Sequence, residues 1–452
     1  MHLLRDTNLN YIFITAVVLF LYTGGFSPIW GYLKMYIFTE SIKSTDSSLQ
    51  LHFFSVLQTV REAGKISFET FANRISGHTS IFILSVVGYI WLSFKKPIML
   101  LGVPLVGLGF IAYVGGLRFT VYAIPVLAFG IAFLIVELSS MTQTKERRYI
   151  MLGILTLAIL YPNIEHIRAY KVPTVFTQNE VKVLDELKKV SSREDYIISW
   201  WDYGYPIRYY ANTRTLIDGN KHSGSVNFPV SYMLTHPQDE SAKLARLDVE
   251  YTEKRFDKNI SVKWQSSNVG QMTLDYGFKD TNDFLLSLQT DIKLPKKTRD
   301  IYFYLPNRML NIYPTVTIFS NLDLMNGQKR KRPFFYVSST IKDGNRFLDL
   351  GRGVKIDKKT NFLIIGKDEV PIRKFVTTKY DKNRKLHIQD QKFNPQATLN
   401  VVYRSDYGQF LVVDDTVYNS LYFQLFVLEH YDEKLFEPTI LTPLVKVYKL
   451  KI

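Results

Sequence analysis

Apolar positions along this chain follow two regimes. From Leu9 to Gly25, Ile81 to Phe94, Ile98 to Leu117 and Phe119 to Leu138 they run nearly unbroken, close to the roughly 20 residues that cross a bilayer as a helix. Tyr149 to Tyr161 is a shorter run of the same kind. From about Lys171 onward the chain is charged, aromatic and turn-rich. Thr177 with Glu180 forms a capping box ahead of Val183, Leu187 and Val190 on one helical face, and Tyr196 to Trp200 reads as a short strand. Beyond Arg332 the runs FFYVSS, NFLIIG, LNVVYR, QFLVV and VKVYKLKI are short β segments between turn residues. The pattern predicts a multi-pass α-helical membrane domain over residues 1–165, with five spans and an outer loop at 26–78. An extracytoplasmic α+β domain with a β-rich C-terminal part follows over 166–452.

Charge sets the orientation. Lys95 and Lys96 lie between the second and third runs, and Lys145, Arg147 and Arg148 between the fourth and fifth, so these loops belong inside. Parity then puts the loop 26–78, the turn at Gly115–Leu117 and everything after Tyr161 outside. The first run leads into Phe26, Pro28 and Trp30 rather than a small-residue cleavage site, which argues against a removed signal peptide. With 46% hydrophobic residues the 452-residue chain is not a disordered one, and without cysteine it has neither disulfides nor thiolate zinc sites. The net charge of +15 raises nucleic acid as a partner beside anionic lipid or phosphate. Nucleic acid is set aside: the basic residues of the apolar half fit topology, and those from Lys293 to Arg332 are scattered over loops with no recognised module.

The strongest local signal is Trp200, Trp201, Asp202, Tyr203 and Gly204. Two of only five tryptophans stand together at a strand end, followed by an acid and a turn glycine. A carboxylate beside indole N–H donors in a partly dry wall suits a small hydroxyl. An aromatic core cluster capped by a surface acid explains the same residues, and both readings stand on composition alone.

WWDYG resembles the signature of oligosaccharyltransferase catalytic subunits, and ISWWDYGYPIRYY with TLIDGNKH is most similar to the bacterial single-subunit enzymes that use an undecaprenyl-diphosphate-linked glycan. That resemblance implies residue roles beside ordinary ones. Glu62, otherwise a solvated loop acid, stands in TVRE, similar to the family's T-I-x-E, and would contact the acceptor asparagine amide and a divalent ion, Mg or Mn. Arg74 in NRISG, otherwise a headgroup-facing base, would pair with an acid two positions before that asparagine. Arg118 in GGLRFT, otherwise a snorkelling charge, would bind the lipid-linked phosphate. Trp200, Trp201 and Asp202 would hold the +2 hydroxyl of the sequon. Tyr205 and His222 would lie near the donor's pyrophosphate and first sugar. Met309 and Ile312, three apart and by default a core pair, would touch an acceptor threonine methyl.

The implied function is transfer of a glycan to the asparagine of an (Asp/Glu)-x-Asn-x-Ser/Thr sequon. Its partners are a lipid-linked oligosaccharide, an acceptor polypeptide and membrane lipid, at a bacterial inner membrane with the large domain in the periplasm. Before Asp195 no two acids stand at i, i+2, so the family's D-x-D-like metal motif is missing. The sequence therefore reads as a C-terminal portion of such an enzyme, with three explanations: a truncated gene, a split enzyme with a separate N-terminal half, or a product without catalysis. Two alternatives remain, a non-enzymatic membrane protein that binds peptide or anionic lipid, and a glycosyltransferase acting on lipid or polymer.

Overall fold

The computed structural model describes residues 6–24, 27, 41–46, 49–56, 59, 66–170, 174, 176–257 and 267–452. The chain divides into two units, Met1–Glu40 with Ser55–Thr174, and Ser41–Phe54 with Val175–Ile452.

In the first unit the apolar runs become helices α1 (Asp6–Tyr22), α2 (Phe68–Ser76), α3 (Thr79–Lys95), α4 (Val103–Phe110), α5 (Thr120–Ser140) and α6 (Lys145–Ala169). Among the described residues two helices are long and apolar enough to cross a membrane: α5, extended back to Leu117, and α6. A third counts if α2 and α3, bent by 69°, form one broken span. The bend is local chemistry. Gly77 at φ 73° ends α2 in the left-handed conformation, and the His78 ring then accepts the Ser80 N–H to start α3.

The five expected runs are therefore not five long helices. Ile98–Leu117 breaks into a 3-10 turn at Pro97–Gly102, then α4, then Ala112–Gly115. Pro97 and Pro104 fit only first turns, Gly102, Gly107 and Gly109 are weak helix formers, and Gly116 at φ 87° stops the run. The fifth run is longer than its apolar stretch, because Thr144 caps α6 a turn before Tyr149 and the helix continues past Pro162.

Phe71 and Ala72 of α2 share a core with Phe82 and Tyr89 of α3 and with Ala123 and Leu127 of α5. Helices α3 and α5 cross backbone to backbone at two glycines. A Cβ on Gly88 would lie 2.2 Å from the Gly130 carbonyl oxygen, and one on Gly130 would lie 2.2 Å from that of Ser85. Ile83, Val87 and Ile90 of α3, Val121 and Phe129 of α5, and Ile154 and Leu157 of α6 are exposed. Lipid covers an apolar surface of this kind in a membrane helix.

The second unit begins with a hairpin from the loop that the sequence groups with the apolar half. Strands β1 (Ser41–Asp46) and β2 (Leu49–Phe54) pair antiparallel. Phe53 meets Phe228 edge to face at 6.2 Å, Phe54 meets Phe319 at 5.4 Å, and the His52 N–H donates to the Leu324 carbonyl at 2.7 Å. The predicted capping box opens α7 (Gln178–Val190), with both reciprocal bonds of Thr177 and Glu180 present.

A five-stranded sheet then forms from β3 (Tyr196–Ile198), β4 (Arg214–Thr215), β5 (Ile301–Pro306), β6 (Phe436–Leu441) and β7 (Val445–Leu450) in the order β6-β7-β5-β3-β4. Strand β3 runs parallel to both neighbours, while β7 and β6 add antiparallel beyond β5. Helices α8 (Gly224–Thr235), α9 (Gln238–Asp257) and α10 (Met309–Ser320) accompany it. Residues 335–414 form a nine-stranded sheet around the long strand Asp368–Tyr380, with Leu363, Val401 and Val412 in its core. The terminal run VKVYKLKI leaves this β-rich part and closes the five-stranded sheet as β7.

Substitution G130A is expected to push α5 off Ser85 and lower stability by about 1–3 kcal/mol, the usual cost of overpacking. G153A, where an added methyl meets nothing within 4 Å, is expected to leave it unchanged. Thermal unfolding in detergent reads both, and equal midpoints would show that the two helices do not rely on this contact.

Candidate active site

The Trp-Trp-Asp turn grows out of β3. Its three residues are fully buried between parallel neighbours, and just beyond the strand the Ser199 hydroxyl donates to the Tyr304 carbonyl of β5 at 2.8 Å. Trp200 is still extended. Trp201–Tyr203 then make a 3-10 turn, closed by the Tyr203 N–H on the Trp200 carbonyl at 3.0 Å. The turn so lies outside the carboxyl end of a parallel strand, where open α/β sheets place their ligands.

The five motif residues divide into anchors and presenters. Trp200 is 1% exposed and packs on Phe319 of α10 at 5.2 Å, so it braces the turn from within. Tyr203 is buried edge-on to Phe176, whose ring lies 5.1 Å from the Arg308 guanidinium. Arg308 in turn forks onto the capping-box Glu180, at 2.7 Å to Oε1 and 2.8 Å to Oε2. Burial, with the Asp202 charge next, raises the Tyr203 phenol far above its usual range, so it stays neutral. Gly204 is required by space: a Cβ there would lie 2.5 Å from the Asp218 Cβ and 2.6 Å from the Ile217 carbonyl oxygen. Trp201 is half-buried and Asp202 exposed, so these two face outward.

The TLIDGNKH segment supplies a floor that sequence reasoning only partly anticipates. Asp218 Oδ1 accepts the N–H groups of Asn220 and Lys221 at 2.9 Å each, and Oδ2 accepts Arg208 at 2.7 Å. Burial works against the carboxylate, but these bonds outweigh it and hold Asp218 below its usual pKa. The pinned turn brings His222 under Trp201, with ring centroids 4.8 Å apart and planes at 25°. Burial lowers the His222 pKa against the pull of Asp218 and of the Gly219 and Asp218 carbonyls, and its buried Nδ1 has no hydrogen-bond partner among the described residues. Tyr205 is exposed with its ring against Gly219. Asp218 was not singled out from sequence; the Asp-Gly pair after an apolar run was the available signal.

Met309 and Ile312 do share a face of α10, which starts directly after β5. Met309 is fully buried and Ile312 half-buried, so Ile312 is the member with surface to offer. Phe319, on the same helix, ties it to Trp200.

In the first unit, Arg74 at the last turn of α2 and Arg118 ahead of α5 line one pocket of about 470 Å³ with Thr120, His166 and Tyr170. Arg74 Nη2 donates to the Tyr170 hydroxyl at 2.9 Å, and its guanidinium lies 4.1 Å from that ring's centre. Glu62 lies outside the described residues. Among the described residues no three His, Asp or Glu side chains come together to hold a metal. They do not by themselves fit the implied divalent ion.

The region that carries the Trp-Trp-Asp turn is similar to known proteins. The STT3/PglB/AglB core domain matches residues 193–326, and the STT3/PglB C-terminal beta-barrel domain matches 334–413. Two relatives named undecaprenyl-diphosphooligosaccharide–protein glycotransferase, from Campylobacter jejuni serotype O:2 and strain RM1221, are each 37% identical over 463 residues. The match covers 99% of this chain and 64% of each relative, so the chain spans 64% of the length of the curated relatives it matches. The crystal structure of the C. jejuni PglB C-terminal domain aligns with a TM-score of 0.54 at 37% identity, covering 60% of this chain and 99% of that one.

The His222 shift fixes a pH dependence. The folded chain holds this imidazole less basic than the unfolded chain does. Its contribution is therefore complete above the unfolded value near ~6.5 and is lost as pH falls below it. Thermal unfolding at pH 7.5 and 5.5 is expected to show a smaller drop in H222Q than in the unaltered chain. His236, held at about 4 by burial, contributes equally to both and cancels. Equal drops would place the titration elsewhere.

Proposed function

We propose that this chain is a member of the STT3/PglB oligosaccharyltransferase family and acts in N-linked protein glycosylation. It passes a glycan from an undecaprenyl-diphosphate-linked donor to the asparagine amide of an (Asp/Glu)-x-Asn-x-Ser/Thr acceptor. The observation that carries the proposal is the Trp200–Gly204 turn, anchored by Trp200 and Tyr203 and presenting Trp201 and Asp202 within the matched core domain. The lipid-type surface of α3, α5 and α6 supports a membrane enzyme. The second unit belongs on the periplasmic side of a bacterial inner membrane in this reading.

An amide nitrogen is a weak nucleophile because its lone pair is shared with the carbonyl, so holding the acceptor in register is a large part of the task. Asp202 accepts a hydrogen bond from the hydroxyl of the +2 residue, and Trp201, steadied by His222, forms the adjoining wall. Ile312 touches the threonine methyl, with Met309 packed behind it. Arg74 pairs with the acid at −2. Arg118 holds donor phosphate, and Tyr205 and His222 lie toward pyrophosphate and first sugar. Glu62 contacts the amide and would be one ligand for Mg or Mn.

Transfer to labelled peptides by membranes containing this chain and a lipid-linked glycan tests the reading. D202A is expected to lose a charge-assisted hydrogen bond of about 1.5–3 kcal/mol, roughly 10–150-fold in kcat/KM. A threonine methyl is worth about 0.8 kcal/mol at most, so Thr acceptors should lead Ser acceptors by up to about fourfold, and I312A should erase that lead. Transfer indifferent to the +2 residue would overturn the proposal.

A further inference from the structure

Arg74 and Tyr170 are 96 positions apart, yet they make a close polar contact between α2 and the end of α6, and both line the pocket. Both ends are fixed by backbone. Arg74 sits in the last turn of α2, where a cation suits the helix dipole. Tyr170 is the C-cap of α6, its N–H donating to the carbonyls of His166 at 3.0 Å and Ile167 at 3.2 Å. The His166 ring stacks on the Tyr170 ring at 6.3 Å and 18°. The phenol thus meets the guanidinium twice, through its hydroxyl at 2.9 Å and through its π face at 4.1 Å.

This geometry has a chemical consequence. Arginine is a long side chain that loses much rotational freedom when it binds. A carboxylate partner would order it but would also neutralise it. A neutral phenol orders it and leaves its charge, and its other N–H groups, directed to a ligand carboxylate.

We propose that Tyr170 is a positioning residue that presets Arg74 for the acceptor's acidic side chain, so that the strength of the −2 preference is set by α6 as well as by α2. Removing the phenol leaves Arg74 cationic but unordered, and the acid then gains little over a neutral residue. This inference rests on the Arg74 role proposed above.

Binding of two fluorescein-labelled peptides to the purified chain in detergent separates the two claims. The peptides carry Asp or Ala two positions before the asparagine and are otherwise identical. The unaltered chain is expected to favour the Asp peptide by about tenfold, and R74A to abolish that ratio. Y170A is expected to bring the ratio close to that of R74A without changing affinity for the Ala peptide. Y170F, which keeps the ring and loses the hydroxyl, is expected to fall between. If R74A abolishes the preference and Y170A leaves it intact, the positioning role is wrong and the Arg74 role stands. If R74A leaves the preference unchanged, the Arg74 role itself fails and this inference with it. A Y170A chain that weakens both peptides equally shows a structural residue only and also overturns the proposal.

Discussion

Two parallel backbone pairings, Tyr196–Ile198 beside Ile301–Phe303 and Tyr196–Ile197 beside Arg214–Thr215, determine what the second unit can present. Parallel neighbours leave the sheet at the same edge, so the Trp-Trp-Asp turn after β3 and helix α10 after β5 emerge together without any contact between their side chains having to arrange it. Every residue of β5 is buried, as a central strand covered on both faces requires. The chain's last strand then flanks β5, so the pairing is secured by residues almost 250 positions downstream of the turn they support. Ser199 on the Tyr304 carbonyl and Phe319 on Trp200 are refinements of that first arrangement.

The same constraint explains what could be read in the sequence. Trp200–Gly204 was legible as a strand end because rare residue types and a turn glycine coincide there, and Thr177 with Glu180 because capping is a local code. Local codes do not extend to partners chosen by tertiary packing. Ser41–Phe54 reads as part of the outer loop 26–78, yet it is a hairpin whose Phe53 and Phe54 find Phe228 and Phe319 far along the chain. VKVYKLKI alternates as a strand should, but alternation does not say which sheet it joins. Ile98–Leu117 shows the opposite limit: hydropathy reads it as one span, while its prolines and glycines, visible in the same letters, divide it. Spacing put Met309 and Ile312 on one face of a helix but could not say that only Ile312 keeps surface.

Charge that supports the fold is met by counter-charge. Arg246 and Glu250, both 3% exposed, pair at 2.6 Å on one helix, and Glu253 gathers Arg214, Arg299 and the Tyr196 hydroxyl at 2.7 Å each. Arg308 is spent on Glu180 in the same way. Taking such charges out of water is costly, and only a well-placed counter-charge with further hydrogen bonds offsets it. The arginines of these pairs hold elements together and have little left to give.

Aromatic partners do something that carboxylates cannot. Tyr170 on Arg74, and Trp201 on His222, fix the orientation of a nitrogen-bearing group without contributing a formal charge of their own. The difference matters because a site that must recognise an anion loses its field once an internal carboxylate has satisfied it, whereas a π face steadies the cation and leaves the field nearly whole. For His222 the same stacking goes with burial that favours the neutral ring, so this imidazole offers a polar surface rather than a second cation. The two pairs thus apply one device to two different groups: a guanidinium at the end of α2, and an imidazole whose burial disfavours the cation.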